Sequence, residues 1–156
     1  MQPNEFMREA IRLAEENVRS GKGGPFGAVV VKDGKIIARG TNLVTDSCDP
    51  TAHAEVVAIR RACEALGTFQ LTDCEVYSSC EPCPMCLGAI YWARPAKVYF
   101  GAGHADAAKA GFDDSYIYEE LAQPIEVRSL PMEQLLAEEA WAPFKAWGEQ
   151  EGKVEY

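Results

Sequence analysis

CEVYSSCEPCPMCLGAIYWARPAKVYF, residues 74–100, switches between two periodicities and carries the densest chemistry of the chain. Cys74 to Ser78 reads as a strand. Cys83 to Trp92 reads as a helix, opened by Pro84 in its first turn, where a missing N–H costs nothing. Arg94-Pro95 stops that helix, and Ala96 to Phe100 reads as the next strand. Cys83 and Cys86 are three residues apart, about 60° around a helix axis and one turn along it, so they share a face. In a first turn the unpaired N–H groups and the helix dipole favour negative charge, which lowers a thiol pKa.

Working upstream, Thr51 to Leu66 reads as a helix with Val56, Ile59, Cys63 and Leu66 on one face, ended by Gly67. Before it, Ala28 to Lys32 and Lys35 to Gly40 are short apolar runs joined by Asp33-Gly34, the signal of a tight hairpin. Asn4 to Arg19 has helical spacing, with Asn4 as the expected N-cap and Gly21 as the stop. Downstream, Ala105 to Ala110 reads as a short helix, Gly111 to Ser115 as a polar loop, and Ile125 to Ser129 as a late strand. Met132 to Trp147 reads as a final helix interrupted near Pro143, and Gly148 to Tyr156 has no strong signal. A helix, a hairpin and then alternating strands and helices predict one layered α/β domain over residues 1–156, with a mixed sheet covered by helices.

The 156 residues suit a single core. Met1-Gln2-Pro3-Asn4-Glu5 has no basic stretch and no apolar run follows it, so no signal peptide is expected. The apolar runs from Ala28 to Val31 and from Leu87 to Ala93 are too short to span a bilayer. A cytoplasmic protein without membrane partners is the expectation. The net charge of −9, with Arg60-Arg61 as the densest basic pair, counts against a nucleic-acid partner and fits a small neutral substrate. Six cysteines in such a chain are expected as free thiols, with Cys63 and Cys74 as small buried hydrophobes.

His53 and Glu55 extend the chemistry. Two residues apart on a helix, they point roughly 160° away from each other, so they share a site only at a helix beginning. The first turn of Thr51 to Leu66 meets that condition, and two helix N-termini then converge on one ion. His53, Cys83 and Cys86 supply three soft ligands for Zn²⁺ and leave a fourth position open. Zinc lowers the pKa of its bound water from ~15.7 towards ~7, and two thiolates weaken that effect. Glu55 compensates as the group that takes the water proton, which is general acid–base catalysis. Two other readings compete. Cys80, Cys83, Cys86 and His53 could form a closed structural site, or Cys83 and Cys86 a redox pair. His104, beside Gly103, reads as a surface residue.

His-x-Glu followed by Pro-Cys-x-x-Cys is the pattern of zinc nucleobase deaminases. The chain resembles the bacterial guanine deaminases of the cytidine deaminase-like superfamily. The likeness is carried by Gly24 to Val29, Asp49 to Glu55, Ser79 to Pro95, Ala110 to Ser115 and the terminal Glu155-Tyr156. It implies a three-layer cytidine deaminase-like fold and one Zn²⁺ per subunit with bound water or hydroxide. It implies hydrolysis of guanine to xanthine and ammonia. It also implies a purine site with Asn42 on the ring, the Ala54 N–H near the reacting carbon, and Phe26 and Trp92 as walls. Asp114 would accept from N1–H and the 2-amino group, and Tyr156 would close the site. The segment at about 130–156 would be exchanged within a homodimer. From the residues alone, Phe26 and Trp92 could equally be core aromatics, Asp113-Asp114 is a solvated loop pair and Tyr156 a frayed end. Deamination of cytosine, guanosine or tRNA adenosine, and a non-catalytic zinc module, stand as alternatives.

Overall fold

The computed structural model describes residues 2–156 as two compact units, the first ending at Ser115 and the second spanning Tyr116–Tyr156. The first unit runs α1 (Pro3–Arg19), β1 (Gly27–Lys32), β2 (Lys35–Thr41), α2 (Val44–Ser47), α3 (Ala54–Leu66), β3 (Cys74–Cys80), α4 (Pro84–Ala93), β4 (Lys97–Ala102) and α5 (His104–Lys109). The sheet order is β2-β1-β3-β4. β1 is antiparallel to both neighbours, whereas β3 and β4 are parallel, so the sheet is mixed as expected. Asp33 and Gly34 both have positive φ, the two-residue turn that matches the twist of a hairpin.

Alternation along the strands makes three layers. Val29, Val31 and Tyr77 pack with Phe6 of α1 on one face. Ala28, Val30, Ala38 and Val76 pack with Ala54, Ala58 and Ala62 of α3 and Ala93 of α4 on the other. Two glycines bring helix backbone onto strand backbone. A Cβ at Gly27 would lie 2.2 Å from the Ala10 carbonyl oxygen of α1. One at Gly40 would lie 2.2 Å from the Ala54 oxygen and 2.6 Å from the Ala58 nitrogen of α3. Small residues at both places let the helices settle without side chains between them.

Several boundaries differ from the sequence expectations. α1 is capped by Gln2 rather than Asn4: the Gln2 N–H donates to the Glu5 carboxylate at 2.6 Å, and Pro3 takes the first helical position. α3 starts at Ala54, three residues after the expected Thr51, because Asp49 holds the preceding turn. Its carboxylate accepts from the Thr51 N–H at 2.8 Å and the Thr51 hydroxyl at 2.7 Å. α2 was not expected; its four residues follow Asn42, whose side-chain oxygen accepts from the Val44 N–H.

The second unit carries most of α6 (Ser115–Leu121), a 3₁₀ turn at Ile125–Val127 and α7 (Ala137–Glu149). The strand expected at Ile125 to Ser129 is that 3₁₀ turn. Pro124 sets its start, the Val127 N–H bonds back to the Pro124 oxygen, and the Ser129 N–H bonds to the Glu120 carboxylate instead of a strand. The final helix begins at Ala137, not Met132, since Leu136 at φ +52° breaks the helical path. It continues through Pro143, which forgoes one backbone bond without ending the helix.

Candidate metal centre and active site

Two helix N-termini meet at the site. His53 is the N-cap of α3 and Cys83 the N-cap of α4, both in extended backbone conformation. Cys86 lies one turn into α4 and is fully buried. The His53 Nδ1 stands 3.5 Å from the Cys83 Sγ and 3.4 Å from the Cys86 Sγ. All three donor atoms lie within 4.8 Å of one another. Cys83 also caps its own helix, its sulfur accepting from the Cys86 N–H at 3.5 Å.

The titrations of the three donors are tightly linked to one another. The Cys83 thiol is held down to about 4, first by the hydrogen bond from the Cys86 thiol, then by His53. The same arrangement pushes Cys86 strongly upward, through Cys83 first, then burial, then the nearby Glu55 carboxylate. His53 is raised, chiefly by its bond to Cys83. Cys86 gives up its proton only to a positive ion bound beside it, and two thiolates plus an imidazole suit Zn²⁺. The donor set therefore fits the metal inferred from sequence.

Glu55, in the first turn of α3, is 5% exposed. Its carboxylate accepts a hydrogen bond from the Ser78 hydroxyl at 2.6 Å. Ser78, inside β3, was not singled out in the sequence; a serine in an apolar strand beside a cysteine is the signal that could have found it. Its neighbour Ser79 accepts from the Gly27 N–H at 3.0 Å and so locks β1 to the same strand end.

Cys80 does not join the donor trio. It is 7% exposed, and its thiol is pushed up to about 11 by burial first, then by the carboxylates of Glu55 and Asp114. Among the described residues, the donor atoms that lie within 4.8 Å of one another are those of His53, Cys83 and Cys86 alone, which disfavours the closed four-ligand reading. Cys80→Ser is expected to retain zinc and deaminase activity; loss of zinc in elemental analysis would restore the closed site. All six cysteines are free thiols.

The other expected site residues lie on several different elements. Ala54 is fully buried at the start of α3. Asn42 follows β2, and Leu43 is tied to the His53 loop through its N–H to the Ala52 oxygen at 2.9 Å. Buried Asn17 of α1 donates to the carbonyl oxygens of Gly24 and Asn42, both at 2.9 Å, and so holds the segments bearing Phe26 and Asn42. Phe26 meets Phe112 edge to face, ring centroids 5.0 Å apart. Phe112 was not singled out as a wall in the sequence, though it sits in the Gly111 to Ser115 loop. Asp114 follows it, with 18% of its side chain exposed. Trp92 lies nine residues beyond Cys83, roughly 13 Å along the axis of α4, and is 63% exposed. Tyr156 belongs to the second unit and is 69% exposed.

His104 corrects a sequence expectation. It is partly buried between the carboxylates of Glu81 and Asp114 rather than lying at the surface. The Arg60-Arg61 pair is likewise engaged. Arg60 reaches Thr51 and Asp49, and Arg61 donates to the Arg39 carbonyl oxygen at 2.9 Å. An open cleft of about 610 Å³ beside α1, lined by Ile11, Ala14, Val18, Phe26, Cys80 and Phe112 among others, contains none of the three metal donors.

Three ligating side chains at paired helix starts, with a buried acid beside them, define a metal-dependent hydrolytic site. Residues 1–102 match the family described as the cytidine and deoxycytidylate deaminase zinc-binding region, and the chain belongs to that family. It is 60% identical over 151 residues to the guanine deaminase of Bacillus subtilis strain 168, covering 97% of each protein. A crystal structure of guanine deaminase from Bacillus subtilis matches with a TM-score of 0.97 at 59% identity, covering 100% of this chain and 99% of that one. The tRNA-specific adenosine deaminase of the same strain is 46% identical over 97 residues, 62% of this chain and 60% of the relative. The domain is thus a zinc-binding one, and the sheet with helices on both faces is the cytidine deaminase-like fold.

Proposed function

We propose that the chain is a zinc-dependent guanine deaminase, converting guanine and water to xanthine and ammonia. The observation that carries the reaction is Glu55, buried beside a three-donor metal cluster. A purely structural zinc module has no use for that acid. The choice of guanine is supported by the extent of likeness. It runs nearly end to end with a guanine deaminase, but over only 62% of the chain with a tRNA deaminase. The engaged Arg60-Arg61 pair and the net charge of −9 also disfavour a polynucleotide substrate.

His53, Cys83 and Cys86 would hold the zinc, which when bound supplies Lewis acidity that makes water a nucleophile at neutral pH. Glu55 takes a proton from the attacking water and delivers it to the ring nitrogen beside C2. Glu55 then serves the departing 2-amino group, so that ammonia leaves with the proton it needs. Ser78 donates to one carboxylate oxygen and orients the other for this transfer. Asn42 accepts from Val44 through its oxygen, which leaves the amide nitrogen as the donor for a purine acceptor. The Ala54 N–H, at a helix start, meets the ring near the reacting carbon. Phe26, with Phe112 against it, forms an aromatic wall. Asp114 accepts from the N1–H and 2-amino group, the pair of donors that adenine lacks.

The second unit supports a homodimer. None of its helices has a buried residue, and Leu121, Leu135, Trp141 and Phe144 are all more than half exposed. Forty-odd residues without a core need another surface to cover them. A second copy, with the segment at about 130–156 exchanged, supplies it. Tyr156 then closes a site, and Trp92 reaches a purine across the subunit contact. The free thiols suit a reducing cytoplasm. No helix among the described residues is long and apolar enough to cross a membrane.

The test is ammonia release from zinc-loaded protein offered guanine, guanosine, cytosine, adenine and an adenosine-containing tRNA anticodon stem-loop, with sedimentation of the same sample. Guanine is expected to be the preferred substrate and the protein to sediment as a dimer. Asp114→Ala, or truncation before Tyr156, should depress guanine turnover and leave zinc content unchanged. Preference for the stem-loop would replace guanine with the tRNA reading.

A further inference from the structure

We infer that His104 is a positioning residue for guanine selection: it holds the Asp114 carboxylate and ties it to the loop that presents the metal donors. The inference rests on the proposed role of Asp114. His104 is the first residue of α5, and its ring stands between two acids. Its Nε2 is 2.5 Å from the Glu81 Oε2, and its Nδ1 is 3.3 Å from the Asp114 Oδ1. The imidazole thus stands as a bridge between the Glu81 and Asp114 carboxylates, the Asp114 contact being the longer of the two. One Asp114 oxygen then faces His104, which leaves the other to accept from a purine.

Each neighbour of His104 is itself fixed. The Glu81 N–H donates to the Ala102 oxygen at 2.7 Å, which extends the β3–β4 pairing up to Pro82-Cys83. The loop after α5 folds back on that helix, with the Phe112 N–H on the Ala107 oxygen at 2.9 Å and the Gly111 N–H on the Ala108 oxygen at 3.0 Å. The two adjacent loop acids divide their work. The Asp113 carboxylate accepts from the Ser115 N–H at 2.9 Å, whereas Asp114 faces the imidazole. The Glu81 and His104 side chains are about one-third exposed, so their contact adds little to stability. What it sets is where an acceptor stands relative to the metal loop.

Steady-state guanine kinetics on zinc-loaded protein test this, with melting temperature and zinc content recorded for every variant. His104→Ala is expected to raise KM for guanine about tenfold, the order of effect that loss of an outer-shell partner brings. Its kcat should stay within about threefold, as for a lost binding contact. His104→Asn places an amide N–H where Nδ1 stands and should recover most of the loss. His104→Gln places one nearer Nε2 and should not. In an Asp114→Ala background, His104→Ala should cost nothing further. Wild-type KM in His104→Ala, equal behaviour of the Asn and Gln variants, or a loss that adds in full to that of Asp114→Ala would overturn the inference. Wild-type guanine kinetics in Asp114→Ala would instead overturn the reading of Asp114 beneath it. Impaired Asp114→Ala beside normal His104→Ala sinks the role of His104 alone.

Discussion

Glu55→Gln is expected to keep its zinc and to lose guanine turnover by about 10²–10⁴-fold, the usual contribution of a well-placed acid–base group. The substitution is isosteric, and the amide oxygen still accepts from the Ser78 hydroxyl that the carboxylate now engages. Packing is unaffected at this 5% exposed position. What disappears is the ability to take up a proton and give it away. Because the fold and the three donors remain, KM should change far less than kcat. Elemental analysis of zinc and single-turnover ammonia release check both halves of the expectation. A Glu55→Gln enzyme with near-normal turnover would place the proton transfer on another group.

Cys86→Ser is expected to lose both the metal and the activity. Cys86 is fully buried and lies 3.4 Å from the His53 Nδ1, so its sulfur is central to the donor set. A hydroxyl at that point does not ionise as a thiol does, and zinc favours thiolate over it. Zinc content should drop to a small fraction of the wild-type value. Stability gives a second readout. A ligand present at a hundred times its Kd stabilises a folded protein by about 2.7 kcal/mol. Added zinc should therefore raise the melting temperature of the metal-stripped wild type and leave that of Cys86→Ser unmoved. Retention of full zinc would mean that another residue completes the set, with Cys80 the first to examine.

These two residues were legible in the sequence because their chemistry is tied to helix geometry. The His53–Glu55 spacing makes sense only at a helix start, and α3 does begin between them, at Ala54. The Cys83–Cys86 spacing places both sulfurs on one face of α4. The hairpin was legible from Asp33-Gly34, whose positive φ values are required by the turn. Residues that depend on tertiary approach were not. Ser78 meets Glu55 across 23 positions of chain, and His104 meets Glu81 across a similar gap, with no local pattern to announce either. Ile125 and Val127 alternate as a strand would, yet Pro124 and the Glu120 carboxylate draw that segment into a local turn. Along α4, helical rise separates Trp92 from Cys83 within one chain, a distance invisible to a motif match.

Gly27 and Gly40 stand near each other on the hairpin, Gly27 paired with Thr41 and Gly40 with Ala28, and each has a helix resting directly on it. Where α3 sits is thus set by main-chain contact at Gly40, with no side chain there whose volume could be traded for another. A side chain at position 40 would meet the α3 backbone directly, so it must displace the helix that carries Glu55. The Asp114 loop is tied to α5 by the backbone bonds of Gly111 and Phe112, but the Asp114 carboxylate itself faces a side chain, His104, that can be exchanged. On the role proposed for Asp114, base preference is open to change through that loop while the seat of α3 stays set by main-chain contact.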